Sequence, residues 1–152
     1  NLAKDKIKKL IRGITDYCAN DKYVYYNPSR RKKTYLFSKD AWELRDSTEK
    51  GVLVGDHAVP LEQIFSYLSK KKRNQPKWFE DIGEHNIRKF LEKNLQIVMI
   101  TKDEDTLLNQ RKLKSEMPDN WDWDDDIFAR YDSVGIQIEN ESRSNSLKIK
   151  TT

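Results

Sequence analysis

Two side chains able to do acid–base chemistry stand next to each other in the stretch Gly51–Leu61, G-V-L-V-G-D-H-A-V-P-L. The apolar run Val52–Val54 has strand character and delivers Gly55, Asp56 and His57 to its end, where Pro60 blocks continuation of a ladder. An imidazole with an ordinary pKa of about 6.5 is mostly neutral near pH 7 and can take a proton from water. Successive strand residues point to opposite faces, so Asp56 is free to bind a cation while His57 acts as a base.

A second pair of polar groups lies further on. Leu95–Ile100, L-Q-I-V-M-I, is the most strand-like run of the chain, and Thr101-Lys102-Asp103-Glu104 has the spacing of a capping box, so a helix should begin there. Asp105 and Asn109, four apart, share a face of that helix. Phosphodiester hydrolysis needs a base to activate water and a cation to stabilise the pentacovalent phosphate. A hard ion such as Mg²⁺, with Mn²⁺ as the alternative, would accept Asp56 and an oxygen of Asn109 or Asp105, keeping water and substrate phosphate in its other positions.

The elements around these residues follow from periodicity. Ile7, Leu10, Ile11, Ile14, Tyr17 and Cys18 have the spacing of an amphipathic helix over 4–19, with Cys18 on its apolar side. Tyr23–Tyr26 reads as extended, Asn27-Pro28-Ser29 as a turn, and Thr34–Phe37 as a return strand. Ser38 is a suitable N-cap for a short helix containing Ala41, Trp42 and Leu44. After His57, the spacing of Val59, Leu61, Ile64, Phe65 and Leu68 predicts a helix with Pro60 in its first turn. Residues 74–83 read as a loop and His85–Leu91 as a short helical piece, with His85 as a capping or surface group. Trp121–Asp126, W-D-W-D-D-D, reads as an acidic helix start running through Phe128, Tyr131 and Val134 to a stop at Gly135, and Ile136–Ile138 as an edge strand.

Composition narrows the class. The 152 residues suit one domain, expected over 1–139 with a disordered tail over 140–152. Charged and hydrophobic residues each make up 36%, and no stretch has the length and apolarity of a membrane span or secretory signal. The single cysteine excludes an internal disulfide and a cysteine-rich zinc cluster, in keeping with a cytoplasmic setting. Asn1 in first position is what a processed form or a domain cut from a longer protein would give. Residues 1–100 hold 21 Lys and Arg against 13 Asp and Glu, whereas 101–152 hold 8 against 12. The cationic part includes two runs of four, Arg30, Arg31, Lys32, Lys33 and Lys70, Lys71, Lys72, Arg73, the first flanked by tyrosines that could stack on bases. Such runs fit a nucleic-acid backbone.

D-H-A-V-P-L, then N-L-Q-I-V-M-I-T and a helix with D-E-D-T-L-L-N, resembles the HNH branch of the His-Me finger (ββα-metal) endonucleases. The resemblance implies an α+β fold in which a helical domain surrounds a small sheet containing the ββα-metal core, here with a helical insertion between His57 and Leu95. It implies His57 as general base, Asn94 or Gln96 as the residue that orients it, Asp56 as metal ligand, and Asn109 or Asp105 as the second ligand. The function expected from it is metal-dependent hydrolysis of DNA in a restriction, phage or toxin setting, with a homodimer or an immunity-type protein as fitting partners. An RNA-cleaving toxin and a non-catalytic nucleic-acid-binding module are the alternatives.

Overall fold

A computed structural model of the chain describes residues 36–139, with the side chains of 78–86 excepted. The expected N-terminal helix, Cys18, the extended segment at Tyr23–Tyr26, the Arg30–Lys33 run, the His85 side chain and the tail over 140–152 lie outside that description. Among the described residues the architecture is α+β: a mixed three-stranded sheet and five helices. In chain order these are β1 (Leu36–Phe37), α1 (Lys39–Glu43), β2 (Leu53–His57), α2 (Leu61–Asn74), α3 (Pro76–Asn94), β3 (Ile97–Thr101), α4 (Lys102–Gln110) and α5 (Ala129–Asp132). Among the described residues, no helix is long and apolar enough to cross a membrane.

The sheet order is β1-β3-β2, with β1 parallel and β2 antiparallel to β3. Register runs from Leu53 opposite Thr101 to His57 opposite Ile97. The period of two sorts the strands between two cores. Leu36, Val54, Val98 and Ile100 face the larger one, closed by Ile64 of α2, Leu91 of α3, Leu108 of α4 and Tyr131 of α5. Phe37, Leu53, Ile97 and Met99 face a smaller one, covered by Ala41 and Trp42 of α1. Asp56, in phase with Val54, therefore lies on the large-core face, and His57, in phase with Leu53, on the other.

The expected helix at Ser38, the two central strands, the stop at Gly135 (φ 78°) and the capping box at Thr101 are all present. Ser38 Oγ accepts from Ala41 N (3.1 Å) to cap α1, and Thr101 Oγ1 accepts from Glu104 N (3.2 Å) to cap α4. Glu104 links both caps, accepting from Thr101 N at 2.7 Å and from Ser38 Oγ at 2.6 Å.

Three expectations are corrected. Residues 74–83 are not a loop: only Gln75 separates α2 from α3, because Pro76 has the φ of a first helical turn and no N–H to lose, and α3 then continues through Gly83 and the 85–91 stretch. Residues 121–126 are turns and not a helix start. Their carboxylates bind local backbone, Asp125 Oδ2 accepting from Asp122 N and Asp126 Oδ1 from Phe128 N, which competes with helical pairing and delays α5 to Ala129. Ile136–Ile138 contributes a single antiparallel bridge, Ser38 to Ile138, in place of a strand.

Candidate functional site

Asp56 and His57 are the last two residues of β2, so the ladder fixes their backbone up to the pair itself. Beyond them Ala58 N donates to Gln96 O (2.8 Å), which extends the pairing by one residue before Pro60 N-caps α2.

The partner of Asp56 comes from the far end of the sequence. Arg130, on α5, is fully buried, and its guanidinium donates from Nε to Ala58 O (3.0 Å) and from Nη1 to Leu113 O (2.6 Å). Nη2 points at Asp56 Oδ2 and His57 O. Tyr131 Oη accepts from Nη2 (3.2 Å) and donates to Asp56 Oδ2 (2.7 Å). One cation thus grips three consecutive residues, 56–58, and ties them to the segment that follows α4.

Burial pushes the Asp56 carboxyl above the usual carboxylate range, and the charge of Asp105 adds to that; Arg130 and the Tyr131 hydroxyl pull it back only in part. Tyr131 is raised well above the ordinary phenol, chiefly by burial and then by the Asp56 charge, so it remains protonated and can donate. Desolvation outweighing attraction is the usual situation of a buried ion pair.

The other sequence candidates are distributed unevenly. Asp105 is buried on the same side as Asp56, near enough for its charge to be felt there, and pairs with Lys102 (3.6 Å) and Lys114 (3.3 Å). Asn109, one turn on, is exposed. Asn94 is buried at the end of α3, where its Nδ2 donates to Phe90 O (2.8 Å); Oδ1 has no hydrogen-bond partner, so no such bond joins it to His57. Gln96 Nε2 donates to Glu92 O (2.6 Å). The Nε2 atom of His57 is shielded from solvent. Lys70 and, in the last turn of α2, Lys72 and Arg73 are exposed, and Lys71 lies over the Tyr67 ring at 5.7 Å. At ~1.5 Å per residue that run lies about 14–18 Å along the axis from the start of α2 and hence away from His57.

As arranged, these donors do not fit a divalent cation. Asp56 Oδ2 is engaged by Arg130 and Tyr131, and Asp105 by two lysines. Among the described residues no group of three or more His, Cys, Asp or Glu side chains could hold a metal.

Sequence reasoning missed Arg130 and Tyr131 as parts of this site. The available signal was an arginine set among Phe128, Tyr131 and Val134, a position where a cation must either reach solvent or find a buried acid. No protein-family model, curated protein or solved structure matches the chain.

Proposed function

We propose that the chain is a nuclease domain of the His-Me finger type that hydrolyses DNA phosphodiesters, with His57 as the general base. The observation that carries this reading is the order and pairing around the Asp56-His57 end of β2. That strand is antiparallel to β3, and α4 begins at Lys102 with no linker and brings Asp105 back within electrostatic reach of Asp56. A helix-borne carboxylate beside a strand-borne Asp-His pair is the arrangement the resemblance implies.

In this reading a neutral His57 imidazole takes a proton from water as the water oxygen attacks phosphorus and the bond to the leaving oxygen breaks. Arg130 has no exposed surface and does not touch substrate. It holds the carbonyls of His57 and Ala58 and so fixes the backbone that aims the imidazole. Asp56 is then a structural acid, neutralised by Arg130. The divalent ion expected from the resemblance, Mg²⁺ or Mn²⁺, is a variable of the experiment and no step here runs through it.

A second reading, a nucleic-acid-binding module without catalysis, is favoured by the engagement of Asp56 with Arg130 and Tyr131 and by the shielding of His57 Nε2. The two separate when the purified chain and His57→Ala are incubated with supercoiled plasmid and with structured RNA, each with Mg²⁺, Mn²⁺ or EDTA. The nuclease reading expects plasmid nicking that disappears in the variant. Plasmid left intact under every condition, with binding retained, would select the binding module; cleavage of RNA alone would select the RNA-directed alternative.

A further inference from the structure

The turn that closes α4 is built at a conformational cost. Leu113 N donates to Leu108 O (2.9 Å) and Lys112 N to Asn109 O (3.1 Å), the paired bonds of a Schellman ending, with Leu113 packed on the large core. That ending places Lys112 at φ 61°, a left-handed conformation that glycine adopts freely and a residue with a Cβ resists. The position instead carries a long cation between Arg111 and Lys114, all three exposed. Cations at a helix C-terminus complement the dipole, and Arg111, the C-cap residue, is already one such cation.

The same turn is bolted to the candidate site. Arg130 donates to Leu113 O and also to His57 O, so one buried guanidinium spans the backbone of the basic turn and that of the candidate base. Lys114 shares its charge with Asp105, which leaves Arg111 and Lys112 as the outward cations.

We propose that the turn 111–114 grips the phosphate backbone of the nucleic acid at this site, with Arg111 and Lys112 as direct contacts. The proposal rests on the reading that the site faces a nucleic acid. A rigid backbone lets two side chains meet phosphates with only their own rotamers to be ordered. The 70–73 run, at the other end of α2, is a secondary contact.

The test is fluorescence anisotropy of a labelled mixed-sequence DNA duplex in EDTA across a range of NaCl concentrations. It compares wild type, Lys112→Gly, Arg111→Gln/Lys112→Gly and, as control, Lys70→Gln/Lys72→Gln. Lys112→Gly should keep or raise the thermal midpoint while weakening binding. The double variant should lower the slope of log K against log[salt] by about 1.8, at roughly 0.9 for each phosphate no longer neutralised, and by more than the control does. Unchanged binding by both turn variants, a control that loses more than the double variant, or a wild type that does not bind DNA at low salt would each overturn the proposal. Cleavage plays no part in the readout: a wild type that binds through the turn but never cuts defeats the nuclease reading alone, and one that cuts while the turn variants bind normally defeats this proposal alone.

Discussion

Two carboxylates, Glu104 buried and Asp56 partly buried, hold this fold together in different ways. Glu104 sits where α4 begins and accepts from Thr101 N and Ser38 Oγ, so that one side chain completes its own capping box and steadies the N-cap of α1. Asp56 sits at the end of β2 and meets a fully buried arginine 74 residues away, together with a tyrosine hydroxyl. The first is a carboxylate satisfied by neutral donors, one of them three residues off. The second is an ion pair that must recover the cost of desolvating two charges. The contrast separates an acid placed to finish a helix from an acid placed to hold a buried cation, and only the second touches the strand end that carries His57.

The largest effect should come from Arg130. Arg130→Met leaves the Asp56 charge and the carbonyls of His57, Ala58 and Leu113 without their donor. A loss of about 3–5 kcal/mol is expected, the scale for breaking a buried pair by removing one partner, read from the denaturant midpoint. A loss under about 1 kcal/mol, typical of surface pairs, would mean that the guanidinium network is not what holds α5 to β2. Glu104→Ala should cost less, about 2 kcal/mol, since a cap and one further buried hydrogen bond are removed; Ser38→Ala made alone and together with it should show non-additive losses if the two caps are coupled through Glu104.

Asp56→Asn should have the smallest effect, under about 1 kcal/mol near pH 7, because the amide oxygen still accepts from Arg130 and Tyr131. Its sign depends on pH. The folded-state pKa of Asp56 is raised above 3.8, so from that value upward the folded chain holds its proton more tightly than the unfolded one, and the Asp56 contribution to stability falls as pH rises through the shifted pKa. The variant lacks this component and should gain on wild type as pH rises from about 4 through the raised pKa in paired denaturant titrations. A variant that instead loses ground as pH rises would show that the ion pair wins over burial.

The two acids also differ in how far they could be read from the chain. Glu104 was legible because a capping box has a fixed spacing, and Ser38, the strand leading to His57 and the strand ending at Ile100 announced themselves in the same local way. The continuity of α3 was hidden by Pro76 and Gly83, which resemble a break when the role of proline at a first helical turn is not weighed. The aspartates of 121–126 looked like a helix start because carboxylates favour that end of the dipole; their bonds to nearby N–H groups took them elsewhere. Arg130 announced only a cation set among apolar residues; nothing local to it encodes which acid, 74 residues away, it meets.

The central claim is that His57 carries chemistry while Asp56 carries structure, and the cleavage rates of wild type, His57→Ala and Asp56→Asn on one plasmid substrate test it most directly. The account predicts that His57→Ala loses about 10²–10⁴-fold, the usual worth of a general base, while Asp56→Asn stays within about tenfold of wild type, a difference of roughly 1.4 kcal/mol in barrier. Equal and complete loss in both variants with the fold intact would contradict it and return Asp56 to the role of a cation ligand; a wild type that cuts neither plasmid nor structured RNA would contradict the assignment of His57.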